Sequence, residues 1–245
     1  MIHDQPPSCQ VGVVKVFLNG ASGRMGQRIQ TVARDARHGC EVVARRARGD
    51  SSACPHADFD VVIDFSSDDG ARESLEVALQ ARKGVLIGTT ALSTATREGL
   101  RSASIDIPVM VAPNSSLAVA VVSALVAEAA GLLGADYTAS ISETHHTRKA
   151  DRPSGTALML ADAISLGGAS PVPREAIESI RTGDVVGDHE VRFTGPFDEV
   201  TIRHHAANRD LFAVGALRLA RWLHRREPGL YSLGDWFQTR REGFG

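Results

Sequence analysis

The densest set of chemistry-bearing side chains in this 245-residue sequence is the run Glu143-Thr144-His145-His146-Thr147-Arg148-Lys149-Ala150-Asp151-Arg152-Pro153-Ser154-Gly155-Thr156. Reduction of a C=N bond, or of a conjugated C=C–C=N system, needs a hydride on one carbon and a proton elsewhere. An imidazole that titrates near neutrality is suited to giving that proton. His145 is the candidate acid, and Lys149 adds a donor and a positive charge four residues on. His146 lies beside them. Ser154-Gly155-Thr156 has the form of a helix start, with Ser154 as N-cap and Gly155 allowing close approach to the backbone N–H groups, so a carboxylate is the expected ligand. A plainer reading is a capped helix with incidental surface histidines. A metal site built on His145, His146 and His204 or His205 is disfavoured, because neighbours in extended chain point in opposite directions and no H-E-x-x-H or carboxylate triad accompanies them. By the same alternation His204 and His205 are expected at sheet surface and sheet core, respectively.

A second motif, Asn19-Gly20-Ala21-Ser22-Gly23-Arg24-Met25-Gly26, has glycines at three-residue intervals between an apolar run and a helical pattern. Glycine permits the tight turn and lets backbone N–H groups approach a pyrophosphate at a helix N-terminus. Alone, such a loop is also compatible with an empty strand-to-helix turn. Its place at the first βα junction favours a dinucleotide. Ligands of open α/β sheets sit outside the carboxyl ends of the strands. Three further segments therefore become candidates for the nicotinamide side: Asp64-Phe65-Ser66-Ser67, Gly88-Thr89-Thr90 and Ala112-Pro113-Asn114-Ser115. At the end of the second strand stand Arg45 and Arg46. An NAD-selective loop carries an acid there to accept from the ribose 2′-hydroxyl; Arg45 is suited to a 2′-phosphate and Arg46 to stacking on adenine. NADPH is thus the expected preferred cofactor, with NADH the poorer one.

These groups require a scaffold, and the hydrophobic rhythm supplies one. Short apolar runs at Val13–Asn19, Glu41–Arg45, Val61–Phe65, Val85–Thr89 and Val109–Ala112 alternate with helical patterns at 24–37, 69–82 and 93–103, the signature of a doubly wound parallel sheet. Beyond Pro113 a long apolar helix (117–133) leads to a strand (137–143) and the helix opening near Ser154. Strands near 176–182, 188–194 and 198–206 then follow without intervening helices, so a second α+β domain with an antiparallel or mixed sheet is expected. In Val200-Thr201-Ile202-Arg203-His204 apolar and polar residues alternate, and the wet face of that sheet is a candidate subunit contact. A helix at Leu211–Arg225 and a Pro228-Gly229 turn close the chain. The domain bounds that follow are 1–114 plus 213–245 for the dinucleotide and 115–212 for substrate and oligomerisation.

The net charge of −2, with 27 Lys and Arg scattered along the chain, gives no support to a nucleic-acid stripe or a membrane patch. The apolar run Leu117–Ala135 approaches membrane-span length, but Ser123, Glu128 and Gly134 interrupt it, so a helix buried between domains is expected instead. Cys9, Cys40 and Cys54 lack metal or paired spacing and read as reduced thiols, and residues 1–10 read as a loose leader without an apolar core. The expected setting is the cytoplasm and the expected partner a small molecule.

The motifs resemble, in order, those of the 4-hydroxy-tetrahydrodipicolinate reductase family. They are Gly20–Gly26, Val62-Ile-Asp-Phe-Ser66, Ile87-Gly-Thr-Thr90, Ala112-Pro-Asn114, Glu143 through Thr156, Arg181-Thr-Gly-Asp-Val-Val-Gly-Asp-His189, Phe212-Ala-Val-Gly-Ala216 and Pro228-Gly-Leu-Tyr231. The resemblance implies dinucleotide contacts at residues 20–25, 88–90 and 112–115. It implies His145 as the proton donor and Lys149 as a second donor or charge clamp. His146, Ser154, Gly155 and Thr156 would hold a dicarboxylate, two domains would close around it, and four copies would assemble into a homotetramer. No metal is implied. The chain departs from the family pattern at Ser115, where an aromatic is usual, at Ala118 in place of glycine, at Arg152 in place of a small residue, and in a shortened stretch between Ala163 and Glu175. A short-chain dehydrogenase is ruled out, because neither Tyr137 nor Tyr231 is followed four residues later by lysine. A paralogue acting on another cyclic imine acid and a non-catalytic dinucleotide sensor are the alternatives; retention of both His145 and Lys149 speaks against the sensor.

Overall fold

The computed structural model describes residues 12–47, 50 and 58–242; the leader, Cys9, Arg48 and Cys54 lie outside the described residues. The chain divides into two compact units, residues 1–115 with 212–245, and residues 116–211.

In the first unit the five expected apolar runs form β1 (Val14–Asn19), β2 (Cys40–Arg46), β3 (Val61–Asp64), β4 (Gly84–Ile87) and β5 (Pro108–Val111). Every pairing in their sheet is parallel. A sixth strand, β10 (Gly229–Tyr231), joins the edge beside β5, giving the order β10-β5-β4-β3-β1-β2. The sequence reading ended the chain at the Pro228-Gly229 turn and missed both β10 and the helix α7 (Leu233–Glu242). Three residues are too few to show a period, and β10 exists because Leu230 finds Val109 as its partner.

The helices α1 (Arg24–Ala33), α2 (Asp68–Ala81) and α3 (Thr94–Ala103) follow their strands. The first ends earlier than expected, because the Asp35 side chain accepts from the backbone N–H of Arg37 and starts a separate helical turn at Ala36–His38. On one face of the sheet Phe17, Val62, Val85, Ile87 and Val109 pack with Leu75, Ala78 and Leu100 of α2 and α3. Each such side chain contributes about 1.5–3 kcal/mol on burial, which fixes the strand ends from which the loops spring. The returning helix α6 (Asp210–Leu223) buries Ala213, Leu217, Ala220 and Leu223. Cys40 is a free, buried thiol beside Leu217, and burial pushes its pKa up to about 12.

The second unit holds α4 (Leu117–Leu133), β6 (Thr138–His145), α5 (Gly155–Leu166), β7 (Glu178–Arg181), β8 (Asp188–Thr194) and β9 (Glu199–His205). Its strands lie in the order β7-β6-β8-β9, with β6 and β7 parallel and the other pairs antiparallel. Val126, Ala130, Ile141, Leu160, Ile164, Val191 and Phe193 form the core between sheet and helices. The expectation of a buried α4 is corrected: Val119, Val126 and Ala130 are buried, whereas Val121, Leu125 and Leu132 are exposed. The helix is apolar all round, but within this unit it packs on α5 and β9, which cover one side of it. The segment is long and apolar enough to cross a membrane by composition. The order of the two adjacent histidines is also reversed. His204 lies opposite His189 in the strand register and turns inward, while His205 is exposed and meets Asp188 at 2.5 Å.

Candidate active site

In the first unit the backbone leaves β1 through a turn that tolerates no side chain at two positions. Gly20 has a φ of +80°, and a Cβ there would lie 2.3 Å from the Phe65 carbonyl oxygen; one on Gly26 would lie 2.2 Å from the Gly20 oxygen. The turn is locked by Gly20 and Ala21 N–H groups donating to the Arg46 carbonyl. Where α2 to α5 each receive a serine cap, from Ser67, Ser93, Ser116 and Ser154, α1 begins at Gly23 with no side-chain cap. Its first-turn N–H groups therefore face an opening suited to an anion. That opening is a cavity of about 650 Å³ lined by Asn19, Gly20, Ser22, Gly23, Arg46, Phe65, Ser66 and Glu73 among others. It lies where the strand order reverses between β1 and β3, the usual position of a nucleotide. A dinucleotide pyrophosphate fits this bare, glycine-lined helix start.

Asp64 holds this rim together. It is fully buried and receives Asn19 Nδ2 at 3.0 Å, Ser74 Oγ at 2.8 Å, Ser66 Oγ at 2.7 Å and the Thr89 hydroxyl. Thr89 in turn accepts from the Ser66 N–H at 2.8 Å, so the ends of β3 and β4 are tied. Gly88 and Thr90 flank it, and the Ala112 N–H donates to Ile87 at 2.8 Å, which brings Ala112, Pro113 and Asn114 to the next strand end. Ser115 is turned elsewhere: its buried hydroxyl donates to the Phe212 carbonyl at 2.8 Å, joining the points where the chain leaves and re-enters this unit. The two arginines part company. Arg46 lines the cavity, pairs with Glu73 at 3.3 Å and lies 5.7 Å from the Phe17 ring centre. Arg45 projects to the other face of β2 and reaches Gln30 at 3.3 Å, beside Arg34 in a separate depression.

In the second unit β6 delivers Glu143 and His145 to one face, two residues apart as a strand requires. Both are buried, and His145 Nδ1 hydrogen-bonds Glu143 Oε2. The other carboxylate oxygen receives Arg181 at 2.8 Å and the Ser154 N–H at 3.3 Å. Burial alone would raise the Glu143 pKa, but the hydrogen bonds with Arg181 and His145 outweigh it and hold the carboxyl below its usual range. Burial lowers the His145 pKa against the opposing pull of Glu143. Lys149 is partly buried and pairs with Asp151 at 2.8 Å.

His146 points to Arg209, 3.1 Å from its Nε2. Ser154 caps α5 by accepting from Ala157 at 3.1 Å, and its Oγ lies 3.2 Å from His189 Nε2. Gly155 and Thr156 begin that helix, whose first turn carries no acid, and a Cβ on Gly155 would meet nothing within 4 Å. His145, His189 and His204 run in a row across the sheet, with ring centres 5.1 and 5.9 Å apart. Among the described residues no group of three or more His, Cys, Asp or Glu side chains is arranged to hold a metal ion.

Sequence reasoning did not single out Glu143, Arg181 and His189 as site residues. The spacing of Glu143 and His145 carried a signal, since an acid two residues from a histidine on a strand shares its face. The approach of Arg181 and His189 depends on register and carried none.

A family model for the N-terminal part of dihydrodipicolinate reductase matches residues 14–115, and one for its C-terminal part matches residues 118–237. The chain is 41% identical over 239 residues to a 4-hydroxy-tetrahydrodipicolinate reductase of Stenotrophomonas maltophilia, covering 92% of this chain and 98% of that one. It is 37% identical over 248 residues to the enzyme of Zymomonas mobilis, covering 91% and 96%. The fold is similar to that of a dipicolinate-bound dihydrodipicolinate reductase from Paenisporosarcina sp. TG-14, with a TM-score of 0.71 at 22% identity over 90% of this chain and 97% of that one. The chain belongs to the dihydrodipicolinate reductase family and is an NAD(P)H-dependent oxidoreductase that reduces 4-hydroxy-tetrahydrodipicolinate.

Proposed function

We propose that the first unit holds the dinucleotide and the second binds the dicarboxylate and supplies the proton. Gly20, Ala21, Ser22, Gly23, Arg24 and Met25 take the pyrophosphate, and Gly88, Thr89, Thr90, Ala112, Pro113, Asn114 and Ser115 border the nicotinamide side. Ser115 contributes through its backbone, because its hydroxyl is committed to Phe212. The bound reduced nicotinamide supplies the hydride. Gly155, Thr156 and Ser154 at the start of α5 accept one carboxylate, with His146 and Lys149 adjacent, and His145, in its imidazolium form, passes the Nε2 proton to the substrate. The observation that carries this reading is the buried Glu143–His145 pair: an ionised carboxylate can only accept, so Nδ1 donates to it and Nε2 is left for the substrate.

NADPH is the preferred cofactor in this reading, and the protein works in the cytoplasm as a homotetramer. The arginines at the end of β2 support the first, and the exposed side chains of the second unit's sheet support the last. The test is to mix the protein with freshly generated 4-hydroxy-tetrahydrodipicolinate and follow oxidation of NADPH and NADH. Turnover with both and a higher kcat/KM for NADPH is expected. Pyridine-2,6-dicarboxylate, a flat diacid, inhibits competitively with substrate, and Gly155→Ala weakens that inhibition. Since the free protein has room for the added methyl, a variant with unchanged inhibition would remove the start of α5 from the substrate site.

A further inference from the structure

One carboxylate in the second unit touches both the strand and the helix start that carry proposed substrate-facing groups. Glu143 meets the His145 imidazole through Oε2, and through Oε1 it meets the N–H of Ser154 at the start of α5 and the guanidinium of Arg181. Arg181 does more than neutralise it. Its Nε donates to the Lys149 carbonyl at 3.3 Å, one terminal nitrogen donates to the Asp151 carbonyl as well as to Glu143, and the other to its own strand at Ile180, 2.8 Å. Both side chains are almost completely shielded, at 2% and 0% exposure. A planar guanidinium can serve these diverging acceptors together; an ammonium cannot.

We propose that Glu143, held by Arg181, is the positioning residue for His145 and Lys149: it fixes His145 with one proton on Nδ1 and Nε2 turned to the substrate, while Arg181 pins the backbone that carries Lys149. This rests on the reading of His145 as the donor. The charged and titratable groups facing His145 are Glu143 on its own strand, Arg181 on β7, His189 on β8 and Lys149 on the following loop. Of these only Glu143 favours the imidazolium. It therefore has two effects, choosing the tautomer and retaining the proton long enough for transfer.

The tautomer is read without any substitution from ¹⁵N imidazole signals of histidine-labelled protein above the pKa of His145, assigned by loss in His145→Gln. A protonated Nδ1 and a bare Nε2 are expected; a ring protonated at Nε2 overturns the proposal. Glu143→Gln keeps the volume and removes the charge. Its kcat is expected to fall about 10–100-fold, the usual effect of losing a partner that orients a functional histidine, while substrate KM and NADPH affinity stay near wild type. Because activity needs the protonated ring, kcat/KM falls as pH rises through the His145 pKa. In Glu143→Gln that fall moves to lower pH.

Arg181→Lys keeps the charge but loses the carbonyl contacts, and a smaller loss of kcat is expected. It decides the question together with the wild-type tautomer if Glu143→Gln does not fold. Folded Glu143→Gln and Arg181→Lys proteins with wild-type kcat and an unmoved pH limb would overturn the positioning role. Wild-type kcat in His145→Gln would instead bring down the donor reading on which it rests.

Discussion

Each unit is organised around one buried carboxylate, and the two are satisfied by opposite means. Asp64 is surrounded by neutral donors, Asn19, Ser66, Ser74 and Thr89, all on the ends of β1, β3 and β4 or the first turns of α2. Glu143 is surrounded by an arginine, an imidazole and a helix N–H. A carboxylate held by amides and hydroxyls can shape a loop, but its neighbours do not titrate near neutrality. A carboxylate held by an imidazole and a guanidinium is coupled to a group that does. The first arrangement suits a rigid cradle for a cofactor, the second a site where a proton must be held and released.

The largest effect expected from this contrast follows from removing the donors. His145→Ala and Lys149→Ala are expected to lower kcat by about 10²–10⁴-fold, the usual loss for a general acid, with NADPH affinity unchanged because the cradle is built from the other unit. Steady-state kinetics with parallel titration of NADPH decide it: wild-type kcat in both variants would remove the segment from the chemistry.

A second difference is in acid stability. Burial holds the His189 pKa down at about 4, so the folded state refuses a proton that the unfolded chain accepts near 6.5. The stabilisation is full above about 6.5 and is lost as pH falls toward about 4, reaching about 3 kcal/mol. His189→Gln should flatten this slope in denaturant titrations between those values. An unaltered slope would mean that His189 is protonated as readily folded as unfolded.

How much of this could be read in advance differs between the two carboxylates. The Asp64 neighbourhood was legible as strand ends in a row, because parallel strands are continuous apolar runs and their loops begin where the runs stop. Which hydroxyl met which carboxylate was not, since that depends on the sheet order β4-β3-β1. The His145 segment was legible from residue types. Its supports were not, because Arg181 and His189 reach Glu143 only through pairing across β6, β7 and β8. The edge strand β10 was invisible for a related reason: its three residues acquire meaning only from β5. The reversal of His204 and His205 was the same limit in miniature, because alternation says that two neighbours face opposite ways without saying which faces the core.

Asp64→Asn tests the cradle. The amide keeps one oxygen and puts its NH2 either toward Asn19, Ser66 and Ser74 or toward Thr89, and about 2 kcal/mol of stability should be lost, within the range for leaving buried donors unpaired. NADPH affinity should weaken while the pH dependence of turnover keeps its wild-type shape, the reverse of the Glu143→Gln pattern. A displaced pH limb in Asp64→Asn would show that the two carboxylates are not separate in function.

The smallest effect concerns cofactor choice. The expected ribose position at the end of β2 carries Arg45 and Arg46, where an NAD-selective loop carries an acid. A guanidinium cannot accept from a 2′-hydroxyl but pairs well with a 2′-phosphate. Strand alternation sends the two side chains apart, Arg46 into the glycine-loop cavity beside Glu73 and Arg45 toward Gln30 and Arg34. Either can serve a phosphate only from its own side, so the two single variants locate it. Wild type should favour NADPH by about tenfold in kcat/KM, about 1.4 kcal/mol. The preference should shrink at high salt, because a partly exposed charge pair is screened within about 10 Å at 0.1 M. Arg45→Asp and Arg46→Asp are then assayed with both cofactors. The one that abolishes the preference marks the phosphate side, and loss in Arg46→Asp alone would place the phosphate in the cavity with the glycine loop. Equal use of NADPH and NADH by wild type, or an unchanged ratio in both variants, would place these arginines outside the cofactor site.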